Sequence, residues 1–391
     1  MSRGGATVRW ALTVGNFVIA CGVLVAAGTL NDLARSLAVS VSVAGQVIAV
    51  GGVSVALGAP LLAGWVAAFD RRKLLTWSLV FFAAGHVACA AMPSIGTLLP
   101  VRALTVLGAA VFTPQAAAAI GVMVPPAERG RSIAFIFLGW SAASVLGLPL
   151  AAFASELVGW RWTWLAIAAA SLGAAFWVHA AMPDGVKPPA MALSSWGRVF
   201  ADPLLMAIVF VTVLAAAGQF TTFSYVMPYL RDVAGATPLE AALYLVWFGV
   251  FGVIGNVLMS RVIDRVGTHV AATVAVVPIA LAFLLWPLAN DRLVWVALAF
   301  VPWALGLFAL NSAQQARLTS VAPALAPALL ALNTSAIYLG QASGATSGGW
   351  IVAHRGYGSL WIASFAAAAC AVGLSVWATR RAHAAARRLA G

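Results

Sequence analysis

The sequence predicts an all-α integral membrane protein of about twelve transmembrane helices in two six-helix halves. Three observations predict it. Of 391 residues, 63% are hydrophobic and 8% charged, whereas a soluble domain carries about a quarter charged residues. The hydrophobic residues gather into runs that reach the ~20 residues needed to cross a bilayer. The formal charge of +12 sits in short gaps between those runs, which is a topology signal and not the footprint of a nucleic-acid binder.

The runs can be taken in order. The first, 11–30, lacks a small-residue cleavage site and is longer than a leader's apolar core, so it is expected to be a helix retained in the mature chain. Runs at 41–66, 74–92, 96–123, 133–155 and 162–181 complete a first half, residues 1–182. A polar stretch from Pro183 to Pro203 follows, with Asp184, Lys187, Pro188, Pro189, Ser194, Ser195 and Arg198. It is expected to be a linker, 183–203. Runs at 204–229, 240–260, 269–289, 293–314, 324–352 and 359–378 build a second half, 204–391, which ends in a short basic tail. An even count puts both termini on one side. Sixteen of the 22 basic residues lie at the helix ends of that side, and five (Arg35, Arg161, Arg231, Arg292 and Arg355) at the other. Basic residues stay in the cytoplasm, so the termini and linker are expected there, in a bacterial inner membrane.

The halves repeat. Asp70-Arg71 and Asp264-Arg265 lie 194 residues apart, as do Arg161 and Arg355; Gln115 and Gln315 lie 200 apart. A near-constant offset points to a duplicated six-helix unit. The three cysteines, Cys21, Cys89 and Cys370, have no metal-ligand spacing and read as small buried hydrophobes. Trp160, Trp162 and Trp164 read as an interfacial belt.

Short motifs add a family resemblance. The stretch PLLAGWVAAFDRRKLL (60–75) resembles the loop between helices two and three of the major facilitator superfamily, with Arg71 and Arg72 as its basic pair. Ala67 stands where the family has an acid, and Asp70 where it has a glycine. The copy between helices eight and nine, Asp264-Arg265-Val-Gly267, matches better, so the resemblance assigns the conformational-switch role mainly to Asp264, Arg265 and Gly267. A carboxylate near a helix N-terminus is stabilised there. Arg102 and Gly108 resemble the fourth-helix motif. Gly147 and Pro149 resemble the antiporter motif of the fifth helix, where proline removes a ladder hydrogen bond. With GWRW (159–162), the run Gln315-Ala-Arg317-Leu and Asn333 through Gln341, the chain is similar to the drug/proton antiporter group that includes arabinose-efflux and chloramphenicol-resistance permeases. The resemblance implies proton-driven export of a small molecule.

The residues themselves narrow the chemistry. No phosphate-binding loop, metal motif or nucleophile elbow is present, so no enzyme, no cofactor and no metal are expected, and active transport would draw on an ion gradient, which the resemblance implies is one of protons. A charge inside a span costs at least ~2.5 kcal/mol and marks function by default; Arg102 is that charge. Asp32, expected near it at the outer end, and His86 and His179, which titrate in the useful range, are the other proton-coupling candidates. Substrate contacts are sought among uncharged polar residues in spans: Asn16, Gln115, Gln219, Tyr225, Asn311, Gln315, Asn333 and Tyr338, with helices seven, ten and eleven the richest. All ten acids fall in loops or at helix ends, so the expected substrate is neutral, zwitterionic or weakly anionic, since desolvating a cation would call for a buried acid. The expected partners are that substrate, protons and the lipid bilayer, with no nucleic acid, and the architecture works as a monomer. The alternatives are a proton-linked importer or facilitator of a sugar or metabolite, and a transport-dead receptor.

Overall fold

The computed structural model describes residues 3–125, 128–187, 193–289 and 292–390; the side chains of 3–5, 130, 193–195, 264, 327, 383 and 385–390 also lie outside the description. Pro188, Pro189 and Asp291 therefore fall outside the described residues, as do the side chains of Ser194 and Ser195.

The described residues form helices joined by short turns, with no strand among them. The long helices are α1 (Arg3–Gly28), α2 (Val41–Trp65), α3 (Arg71–Ala91), α4 (Ile95–Met123), α5 (Arg131–Val158), α6 (Trp160–Ala181), α7 (Pro203–Val233), α8 (Pro238–Val266), α9 (Thr268–Ala289), α10 (Leu293–Val321), α11 (Ala326–Arg355) and α12 (Leu360–Ala390). All but α11 contain a segment apolar and long enough to cross a membrane. The 30-residue α11 falls short because it carries Asn333, Thr334, Ser335, Gln341, Ser343, Thr346 and Ser347. Such a helix is suited to protein neighbours more than to lipid.

The sequence places the helix boundaries through local chemistry. Ser40 caps α2 by accepting from the amide of Val43 at 3.2 Å, and Ser94 caps α4 by accepting from Thr97 at 3.4 Å. Thr237 and Glu240 form a reciprocal box at the start of α8: the Thr237 amide donates to Glu240 at 2.8 Å and the Glu240 amide to Thr237 at 3.2 Å. Gly159 between α5 and α6 (φ 85°) and Gly356 after α11 (φ 73°) take the left-handed conformation at matching places in the two halves. In α5 the ladder widens into a π-turn over Ala143–Gly147, which ends two residues before Pro149, whose missing N–H leaves a carbonyl to be accommodated.

The chain divides into two compact units, Met1–Ala190 with Thr237–Val246, and Met191–Ala236 with Trp247–Gly391. One division point, between Ala190 and Met191, lies within residues 183–203, while Thr237–Val246, expected in the second half, groups with the first unit. The expected linker is not all loop, since Leu193–Ala201 is a helix. In the first unit α1 packs on α5 and α6, and α3 on α4 and α6; in the second, α7 packs on α11 and α12, and α9 on α10 and α12. The same helix pairs recur six positions later, as a duplicated unit requires.

Two sequence expectations are corrected by the packing. Trp160 and Trp164 are buried, at 1% and 0% exposure, and stack edge to face at 5.5 Å; only Trp162 is exposed. Residues four apart share a helix face, so the pair turns inward while Trp162 points out. Cys89 is buried, but Cys21 is half-buried and Cys370 exposed.

Candidate functional site

In the first unit the central feature is a buried cation. Arg102, 1% exposed, reaches from α4 to three other helices. Its Nη2 donates to the carbonyl oxygens of Gly22 (2.9 Å) and Val23 (3.1 Å) on α1. Its Nη1 lies 3.5 Å from Nε2 of His86 on α3, and its guanidinium sits 5.1 Å over the Trp164 ring of α6. Each carbonyl has a second lone pair to offer beyond its helical bond, and the ring face attracts the cation. The Nε–H has no partner. Nδ1 of His86 lies 2.9 Å from the Phe82 carbonyl. The tautomer protonated on Nδ1 donates there and presents Nε2 as an acceptor to Arg102. Gly22 permits this seat, because a Cβ there would run into the rings of Phe82 and His86.

The other proton-coupling candidates lie elsewhere in the unit. Asp32, on the short helix Leu30–Ser36, accepts the Trp160 amide at 2.6 Å and pairs with Arg35 at 3.8 Å, so it is engaged at the N-terminus of α6 and not on Arg102. His179 is fifteen residues along α6 from Trp164, about 22 Å at helical rise. Its carbonyl accepts from Arg72 Nε at 2.8 Å, and its ring Nε2 lies 3.4 Å from Arg72 Nη2.

His179 belongs to a clasp built by the loop between α2 and α3. Asp70 caps α3 by accepting from the amides of Arg72 (3.0 Å) and Lys73 (3.3 Å), and its second oxygen accepts from the Gly185 amide at 2.6 Å. Arg71 closes the end of α2 by donating to the carbonyls of Val66, Ala67 and Phe69, the last at 2.6 Å. Arg72 pairs with Asp184 at 2.7 Å. In the corresponding loop of the second unit, Gly267 is left-handed (φ 79°) and Arg265 is exposed. The side chain of Asp264 lies outside the described residues.

The polar residues inside the spans form two clusters on matching helices. In the first unit Thr113 (α4) donates to Asn16 Oδ1 (α1) at 2.8 Å, and Asn16 Nδ2 donates to the Ile136 carbonyl (α5) at 3.4 Å. In the second, Thr212 (α7) donates to Asn333 Oδ1 (α11) at 2.7 Å, while Gln314 (α10) donates to Thr212 at 3.1 Å and to the Ile208 carbonyl at 2.9 Å. This second cluster leaves Gln314 Oε1 and Asn333 Nδ2 buried without partners. Gln115 is buried on α4 and Tyr338 on α11. Asn311 and Gln315, half-buried on α10, are bonded to each other at 3.1 Å. Gln219 donates to the Ala215 carbonyl and accepts from the indole of Trp303 at 3.2 Å; Tyr225 donates to the Ala345 carbonyl at 2.8 Å. Both therefore bind parts of the second unit together. Gly147 backs α5 onto α1, since a Cβ there would meet the sulfur of Cys21, and Pro149 is buried beside it.

The sequence reading missed a second buried cation. Arg317, counted as a helix-end charge, is 0% exposed. It donates through Nε to His269 Nδ1 on α9 (3.0 Å), through Nη1 to Ser375 Oγ on α12 (3.0 Å), and through Nη2 to the Ser375 carbonyl (3.3 Å) and Thr379 Oγ1 (3.1 Å). Thr113, Thr212 and Trp303 were missed as well. The available signal was a hydroxyl or indole inside an apolar run.

Comparison with known proteins gives a concordant picture. Residues 12–345 match the family model of the Major Facilitator Superfamily. The chain is 30% identical over 350 residues to the inner membrane transport protein YdhP of Escherichia coli (strain K12), covering 89% of each. It is 24% identical over 354 residues to an uncharacterized MFS-type transporter, YbcL, of Bacillus subtilis (strain 168), covering 90% of each. Among solved structures it resembles a D-xylose-proton symporter (TM-score 0.76, 17% identity, 94% of this chain and 96% of that one). It also resembles a bacterial homologue of the human lysosomal transporter Spinster (TM-score 0.73, 17% identity, 99% and 98%).

Proposed function

Because the chain belongs to the Major Facilitator Superfamily and is a multi-pass membrane transporter, we propose that it exports a small neutral, zwitterionic or weakly anionic molecule in exchange for protons, by alternating access. The observation that carries this reading is the Arg102–His86 pair. A guanidinium buried against backbone carbonyls, with one N–H unpartnered and a histidine nitrogen at 3.5 Å, is a device that a proton can reset. With His86 in the tautomer protonated on Nδ1, its Nε2 is the acceptor that faces Arg102. A proton added to Nε2 places two cations side by side in a low-dielectric interior, so Arg102 must withdraw from His86, and its hold on α1 changes with it. Proton binding is thereby linked to a shift between conformations.

The substrate class follows from the acids. Among the described residues each acid lies in a loop, a short surface helix or the end turns of a long helix. A permanent cation would lack a compensating charge mid-span. The order of the motifs around Gly147, Pro149, Arg317 and Asn333 supports membership of the drug/proton antiporter group. The motif at Gly147 and Pro149 supports export, and the bias of basic residues to one set of helix ends supports both termini in the cytoplasm of a bacterial inner membrane. A second reading, a proton-linked importer of a polyol-like metabolite, draws on the uncharged amides Asn16, Asn311, Gln315 and Asn333, which suit hydroxyl-rich ligands.

Everted membrane vesicles energised to an acid interior test the proposal, with a pH-sensitive dye as readout. Neutral, anionic and cationic compounds are added in turn. Proton release by a neutral or anionic compound, lost with Arg102→Ala protein of normal abundance, is the expected result. Release by permanent cations alone, or an undiminished response in Arg102→Ala vesicles, would sink the reading. Uptake into the cell, seen with right-side-out vesicles, would favour the importer.

A further inference from the structure

We propose that the helix Leu193–Ala201, together with the exposed end of α12, forms a lipid-binding collar on the second unit that lies in the headgroup layer and takes anionic phospholipid. Its height is fixed by the chain. Asp202 alone separates the helix from α7, and its carboxylate caps α7 by accepting from the amides of Leu204 (2.8 Å) and Leu205 (3.2 Å). The helix therefore ends within one residue of where a membrane-spanning helix begins.

Its faces are set by burial. Val199 is 0% exposed and is part of an apolar cluster with Leu205, Ile208, Leu318, Leu329 and Ala378. Trp196 and Phe200, four residues apart on one flank, stack at 6.1 Å, and Phe200 remains 55% exposed. Arg198, exposed, is two positions from each and so projects from the opposite flank. An aromatic flank and a basic flank either side of a protein-anchored residue is the composition of a helix lying in a membrane interface.

Charge complementarity selects the lipid. Ala378 of α12 belongs to the same cluster as Val199. The exposed Arg380 and Arg381 follow it within three residues, and the Arg381 guanidinium sits 5.6 Å over the ring of Trp377, itself 43% exposed. Three exposed guanidiniums thus share one end of the unit with three interfacial aromatics. The acid beside them, Asp202, is already held as a cap. Guanidinium binds phosphate with directed hydrogen bonds, and each basic residue at a membrane surface strengthens attraction to anionic lipid severalfold.

The test uses full-length protein in which Cys21, Cys89 and Cys370 are replaced by alanine. A single Gly197→Cys site, where an added Cβ meets nothing within 4 Å, carries an environment-sensitive fluorophore. In vesicles of phosphatidylglycerol and phosphatidylcholine, brominated lipid is expected to quench the probe and aqueous iodide to leave it largely unquenched. A probe on Gly173, which also has open space around it on α6, serves as the membrane control. In native mass spectrometry, R198E/R380E/R381E is expected to retain at least about fivefold less phosphatidylglycerol relative to phosphatidylcholine. R198E alone is expected to show a smaller loss in the same direction, and it serves if the triple variant is poorly made. Quenching by iodide and not by brominated lipid would mean that the face meets water or a soluble partner and would overturn the proposal. Unchanged phosphatidylglycerol retention in a folded charge-reversed variant would overturn it equally.

Discussion

Each unit buries one arginine against a histidine of the preceding helix, and the two sites differ in how fully the guanidinium is bonded. Arg317 on α10 meets His269 of α9, and Arg102 on α4 meets His86 of α3; α10 and α9 are the repeats of α4 and α3. Arg317 has every nitrogen engaged at 3.0–3.3 Å, by an imidazole, two hydroxyls and a carbonyl. Arg102 holds two carbonyls, stands 3.5 Å from its histidine, and keeps an unpartnered Nε–H. Saturation makes a brace. An incomplete set makes a group whose partners can be exchanged. The two halves supply similar frames, and the hydrogen-bond inventories differ: the Arg317 guanidinium is saturated and that of Arg102 is not.

That contrast predicts its largest effect at Arg317. Hydrogen bonds to a charged group are worth ~1.5–3 kcal/mol each but do not add fully within one network. Arg317→Ala is expected to destabilise the protein by at least about 3 kcal/mol, seen as a lower melting midpoint in detergent and a reduced yield. Arg317→Lys should recover less than half, because one ammonium cannot span α9 and α12 as a planar fork does. Full stability of Arg317→Ala would mean that the brace is not one.

The next effect is functional and belongs to the other site. His86→Gln keeps an acceptor in reach of Arg102 but removes the titrating group. Substrate counterflow, which needs no net proton movement, is expected to stay within about threefold of the parent, while the proton response falls at least about tenfold, the loss of roughly one free-energy decade. An intact proton response in His86→Gln would remove His86 from the coupling path and leave Arg102 as a second brace.

The sequence disclosed these two arginines unequally, for a physical reason. Arg102 lies seven residues inside α4, so hydropathy alone marks it as an anomaly. Arg317 lies four residues from the end of α10, where a basic residue ordinarily reaches the interface, and it scored there as a topology signal. Its burial is made by Ser375 and Thr379, about sixty residues further on, a relation no local pattern carries. The number of long helices, their order and the duplicated offset were legible because they rest on run length and short motifs. The inward turn of Trp160 and Trp164 was not, since the belt reading counted the tryptophans without their helical phase. The clasp at Asp70 lay between: the motif marked the loop, but resemblance weighted Asp264, while Asp70 bridges α3 to Gly185 within the first unit.

The smallest expected effect separates the two polar clusters. Asn16 is bonded at both ends of its amide, to Thr113 and to the Ile136 carbonyl. Asn333 is bonded only through Oδ1, and its Nδ2 is already buried without a partner. Replacing an amide by leucine forfeits the bonds it makes and strands their partners, but it also relieves any polar atom left unpaired, and each of these is worth ~1–3 kcal/mol. Asn16→Leu therefore carries a loss with nothing to offset it, while in Asn333→Leu the loss of the Thr212 bond is partly cancelled. With no substrate present, Asn16→Leu is expected to be the less stable of the two by ~1–2 kcal/mol, read from unfolding midpoints in the same detergent. If Asn333 Nδ2 is kept free for a ligand, a substrate that stabilises the parent should stabilise Asn16→Leu to a similar extent and Asn333→Leu much less, because a ligand raises apparent stability only where it binds the folded form. Equal ligand shifts in both variants would assign the unpaired donor to helix packing and return the substrate site to the half-buried Asn311 and Gln315.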